Sequence, residues 1–126
     1  MKNLDALCAA TAIKIETEFS AKSAKDQKSM LNNITNSISI LQEDGIYAFY
    51  LFLKREKMVP AIWPACQKLL SDQAIGSILP NSNRSEEENI IKMTENMEHL
   101  FLAKDLLQRL LVYARYGMRS RLTKGN

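Results

Sequence analysis

At 126 residues, 46% hydrophobic and 25% charged, the chain has the composition of an ordinary globular domain and the length of one folding unit, since two would each be marginal. Its 4 Gly and 3 Pro are too few turn formers for a sandwich or barrel and favour long helices. The formal net charge of +3 is too small to announce a nucleic-acid binder, but it conceals a segregation: residues 86–105 carry 2 basic and 6 acidic groups, and residues 106–126 carry 5 basic and none acidic.

From the N-terminus, Asn3 is placed to cap a helix in which Leu4, Leu7, Cys8, Thr11, Ala12, Ile15 and Phe19 recur at three- and four-residue steps, ending near Lys22. Asp26 can cap a second helix carrying Met30, Leu31, Ile34, Ile38 and Leu41, stopped by Gly45. The unbroken apolar run Ile46 to Leu53 suits a buried strand or a buried helix; with no second strand-like run to pair with, helix is the expectation. Lys54-Arg-Glu-Lys57 would form its basic last turn before Pro60. A fourth helix is expected from Trp63 to Leu70, with both prolines at or before its first turn, and a loop over Gly76 to Asn83. Ser85-Glu-Glu-Glu88 has capping-box spacing. From there the pattern predicts one helix of roughly 31 residues, ~46 Å long, reaching about Tyr116, with Met93, Met97, Leu100, Ala103, Leu107, Leu110, Leu111 and Ala114 as its core stripe. The fold expected is all-α: a compact bundle of about five helices with a long C-terminal helix, one helical domain over 1–126 with a basic tail from about 117.

No residues with catalytic spacing stand out. His99 is the only histidine and has no motif partner, and Glu86 to Glu88 are explained by the helix dipole. There is no phosphate loop, nucleophile elbow or metal-ligand pair, so no catalytic residue, metal or cofactor is expected. Cys8 and Cys66 lack disulfide or metal spacing, which makes the reducing cytoplasm the expected compartment. The apolar run is far below the ~20 residues of a membrane span, and the acidic Asp5 and Glu16 argue against a signal peptide. Binding is the better class. Arg109, Arg115, Arg119, Arg121 and Lys124, with Tyr116 interleaved, combine guanidinium forks for phosphates with an aromatic platform for a base; of these, Arg109, Arg115, Tyr116 and Arg119 are expected on one helix face away from the core. Lys54, Arg55 and Lys57 form a smaller cluster. Solvated helix ends are the plain structural alternative for both.

The stretch Leu41-Gln-Glu-Asp-Gly-Ile-Tyr-Ala-Phe-Tyr-Leu-Phe-Leu-Lys54 resembles the corresponding part of the small all-helical subunit of the type III-B (Cmr) CRISPR effector complex: a helix end, an "N-G-L" style break, and an aromatic-aliphatic helix closing in Lys. The opening Leu4-Asp5, the polar Lys25 to Ser29 approach and the ending Leu110-Leu-Val-Tyr-Ala-Arg115 are also similar, so the likeness runs over most of the chain. Asp44 stands where the family usually has Asn, the helix-two proline is missing, and Tyr116 to Asn126 extends past the usual end. The resemblance implies a non-catalytic structural subunit in antiviral defence, whose copies stack along a ribonucleoprotein beside crRNA and target RNA, with other effector subunits as partners and no small-molecule substrate or membrane. Two other readings remain: a helical adaptor docking an acidic protein partner without RNA, and a metal-dependent enzyme built on Glu86 to Glu88 and His99.

Overall fold

A computed structural model describes residues 3–122, and within these the fold is all-helical: α1 (Leu4–Ser20), α2 (Ala24–Asp44), α3 (Ile46–Arg55), α4 (Val59–Leu70), a 3-10 turn (Gln73–Ile75), α5 (Glu86–Thr94) and α6 (Met97–Ser120). No strand occurs among the described residues, and no described helix is long and apolar enough to cross a membrane.

The sequence signals act through identifiable atoms. Asn3 caps α1 by accepting the Ala6 amide at 3.0 Å. Ser23, and not Asp26, caps α2, its hydroxyl accepting the Asp26 amide. Gly45, at φ 95°, turns α2 directly into α3 in a conformation that a Cβ disfavours. The Ile46 to Leu53 run is helical as expected, with Ile46, Phe49, Tyr50, Phe52 and Leu53 all buried. That helix ends at Arg55, before Pro60 could stop it: Lys57 takes a left-handed φ of 58°, and the Met58 amide bonds back to the Leu53 carbonyl at 2.7 Å. The fourth helix begins at Val59 instead of Trp63. Pro60 lies in its first turn as expected, but Pro64 sits inside the helix and not at or before its first turn, so the Pro60 carbonyl lacks its amide partner four residues on.

The largest departure is the final helix. It is two helices, not one, which makes six in the described residues instead of five. Asn96, in extended conformation, accepts the His99 amide at 3.1 Å and caps a new helix, α6, while the Thr94 hydroxyl bonds back to the Ile91 carbonyl at the end of α5. A side-chain acceptor at Asn96 replaces the carbonyls that a continuous helix would offer. The restart resets the apolar phase: Met97 is 67% exposed and Leu100 only partly buried, although both belong to the expected core stripe. Met93, Ala103, Leu107, Leu110, Leu111 and Ala114 are buried as expected, joined by Leu106 and Met118.

At 24 residues, α6 is ~36 Å long and runs through the middle of the fold, against α1, α2, α4 and α5. Cross-contacts give the directions. Asp5 meets Arg109 and Glu16 meets Arg121, so α1 and α6 run parallel; Gln42 meets Lys104 and Thr35 meets Arg115, so α2 is antiparallel to α6. The Glu16 side chain lies over Gly117, where a Cβ would stand 2.0 Å from the Glu16 Cδ. Tyr50 and Trp63 meet edge to face, with ring centroids 5.0 Å apart, and tie α3 to α4.

Candidate nucleic-acid interface

Six residues separate Arg109 from Arg115, about 120° around a helix at ~100° per residue, and the two side chains diverge accordingly. Arg109 leans toward α1. It pairs with Asp105 one turn earlier at 3.3 Å and lies 3.8 Å from Asp5, and the Tyr113 hydroxyl donates to the same Asp5 carboxylate. That hydrogen bond raises the Tyr113 pKa, because losing the phenol proton would place a second anion against Asp5. Arg115 leans toward α2 and donates from Nε to the Thr35 hydroxyl at 3.1 Å, which leaves its terminal nitrogens uncommitted. Tyr116, 65% exposed, and the exposed Arg119 lie between these two directions. The expected basic face is therefore one arc of about 120°, with Arg109 paired at one edge of it.

Arg121 also turns inward, its Nε 3.4 Å from the nearly buried Glu16 carboxylate, in the notch that Gly117 leaves open. Lys124 lies outside the described residues. In the smaller cluster, Lys54 pairs with Glu87 of α5 at 3.1 Å; each charge stabilises the other, so the Lys54 pKa is raised and that of Glu87 is lowered. Arg55 stacks over the Phe52 ring at 5.4 Å and reaches Glu56 at 3.9 Å. Lys57 is exposed at the left-handed turn.

Of the cations singled out from sequence, Arg109, Arg121 and Lys54 thus have acidic partners within the fold, with Arg55 loosely partnered, while Arg115, Arg119 and Lys57 form no ion pair among the described residues. Surface pairs of this kind are worth little, so a polyanion could displace them, but they reduce the free positive charge. One exposed side chain is not marked by the sequence pattern. Phe101, 62% exposed, follows Met97 by one turn and gives the N-terminal half of α6 an apolar outer edge; the reset at Asn96 is what turns that edge outward. Among the described residues no group of three or more His, Cys, Asp or Glu side chains is placed to hold a metal ion. The buried thiols are shielded: burial pushes Cys8 up to about 11 and Cys66 further still. Compared with protein-family models, curated proteins and solved structures, the chain matches none.

Proposed function

We propose that this chain is a non-catalytic structural subunit of a cytoplasmic RNA-guided effector ribonucleoprotein, of the type III-B kind that its sequence resembles, and that it contacts crRNA or target RNA through the backbone. The observation that carries the reading is the Arg115, Tyr116 and Arg119 group on the C-terminal half of α6: two guanidinium groups without an acidic partner in the described residues flank an aromatic ring that is 65% exposed. Guanidinium forks suit phosphate oxygens, and an exposed ring offers a stacking surface without base preference. Contacts to phosphate position a protein without reading sequence. One subunit offers few of them, so useful affinity requires several copies acting along one strand.

The test replaces Arg115 and Arg119 with Glu and measures RNA affinity of the assembled complex against salt. Each lost phosphate contact should lower the magnitude of the log–log slope by about 0.7 for a single strand or about 0.9 for a duplex. Unchanged affinity and slope with an intact fold would overturn the reading. A second reading, a helical adaptor for a protein partner, is favoured by one observation: the apolar edge of Met97 and Phe101, 67% and 62% exposed. It moves ahead if Phe101→Ala abolishes assembly while the glutamate pair leaves RNA affinity intact.

A further inference from the structure

A cleft of about 610 Å³ opens between α4 and the segment leading into α5. Lys68 of α4 and Ser71 at its C-terminal cap face it, as do Ser77, Ser82 and Arg84 of the connecting segment and Glu86 of α5. Its shape is fixed by the backbone. The Ser77 amide bonds to the Asp72 carbonyl, and the Ile78 and Leu79 amides to the Leu70 carbonyl, so the segment is fastened to the end of α4. Further along, the Ser82 hydroxyl accepts the Arg84 amide and donates to Asn89 at 2.7 Å.

The two cations on the cleft lining, like Arg115, Arg119 and Lys57, are not taken up by acids among the described residues of the fold. Lys54, Arg55, Lys92, Arg109 and Arg121 each have a carboxylate within 4 Å. Lys68 and Arg84 have none among the described residues. Lys68 instead has Lys14 of α1 beside it, close enough for hydrogen bonding between the two amines, and the like charge lowers the Lys14 pKa. Two neighbouring ammonium groups with no acid between them repel, and an anion between them would relieve that repulsion. Glu86 is the one acid on the cleft lining, against the two cations Lys68 and Arg84.

We propose that this cleft is a phosphate-binding site, in which Lys68 and Arg84 hold the anion from the two walls, Lys14 contributes a second ammonium, and the Ser71 and Ser77 hydroxyls donate to remaining oxygens. A phosphate group fits better than a carboxylate because it offers more oxygens and carries up to two negative charges, which matches one planar fork and two point charges. The phosphate is either a free anion or part of an RNA backbone; only the second source rests on the function proposed above.

The experiment is an amide NMR titration of the full chain with inorganic phosphate, followed by a short single-stranded RNA. The expected result with phosphate is a saturable shift confined to residues around Lys14, Lys68, Ser71, Ser77 and Arg84. Lys68→Gln and Arg84→Gln should each weaken binding about tenfold, the loss expected for one charged hydrogen bond. Both side chains lie at an open surface, and unshifted amides elsewhere report that the fold survives. Absence of a saturable shift in the unaltered protein overturns the proposal, as does phosphate binding that survives the double substitution. Movement of the same amides with RNA identifies the backbone as the source, and a response to phosphate alone identifies a small anion; either supports the site. Replacing Arg115 and Arg119 with Glu leaves the phosphate isotherm unchanged, so failure of the α6 interface and failure of the cleft are read separately.

Discussion

Leu107 and Met97 both belong to the apolar stripe legible in the sequence, yet the fold gives them opposite fates, and truncating each to Ala measures the difference. Leu107 is fully buried and Met97 is 67% exposed. Leu107→Ala removes most of a buried side chain and leaves a cavity, which costs about 2–5 kcal/mol. An unfolding entropy of about 2.1 cal/mol/K per residue amounts to about 0.26 kcal/mol/K for a chain of 126 residues, so the melting temperature should fall by about 8–19 °C. Met97→Ala removes surface that is already in water and should change stability by no more than about 0.5 kcal/mol, or ~2 °C. Thermal unfolding followed by circular dichroism at 222 nm, the helical band, would read both. Equal shifts would refute the restart at Asn96, because a single continuous helix buries both residues.

Two further predictions concern the cap and the thiols. Asn96→Ala removes the acceptor for the His99 amide and should cost about 0.5–2 kcal/mol, read as a fall of about 2–8 °C in melting temperature; no change would mean that the joint does not depend on that side chain. Stability should also fall as pH rises from 9.0 toward about 11: over that window the Cys8 thiol ionises in the unfolded chain, with its ordinary value of 9.0, but stays protonated in the fold, where burial raises it to about 11. Below pH 9.0 this contribution is fully present. Melting temperatures across that range check the prediction, together with alkylation of the native chain at pH 8, which should be far slower than that of the unfolded chain; ready alkylation would refute it.

The parts of the fold that could be read in advance are those with local causes. Gly45 ends a helix because its own φ is positive, and the Ser85 hydroxyl accepts the Glu88 amide three residues on. The Ile46 to Leu53 helix needed only the absence of a partner strand. The break at Asn96 is masked because the spacing of Met93, Met97 and Leu100 runs through it; the signal that marks it is the Asn cap followed by Glu98 in the first turn. At the candidate site, the Arg109–Asp105 pair is implicit in a four-residue spacing. No spacing announces Asp5 or Glu16 as partners, since those pairings exist only once α1 lies along α6. Lys14 and Lys68 are likewise brought together by the contact of α1 with α4, and nothing near either in the sequence marks them.

The missing side chain at Gly117 works as a keyway. With a Cβ at 2.0 Å from the Glu16 carboxylate carbon, almost any other residue would push that carboxylate aside, and sliding α6 along α1 by one residue would present Tyr116 or Met118 to Glu16. The notch therefore seats the Glu16 carboxylate, and with it the Glu16–Arg121 pair, at one place along α6. Asp5 to Glu16 spans 11 residues and Arg109 to Arg121 spans 12, nearly equal lengths at ~1.5 Å per residue, so one alignment engages both acid–arginine pairs at once. Every arginine between them is left unengaged by α1. The charge left exposed on α6 is thus a vernier reading of its alignment with α1, one mark of which falls where a hydrogen atom stands in place of a side chain.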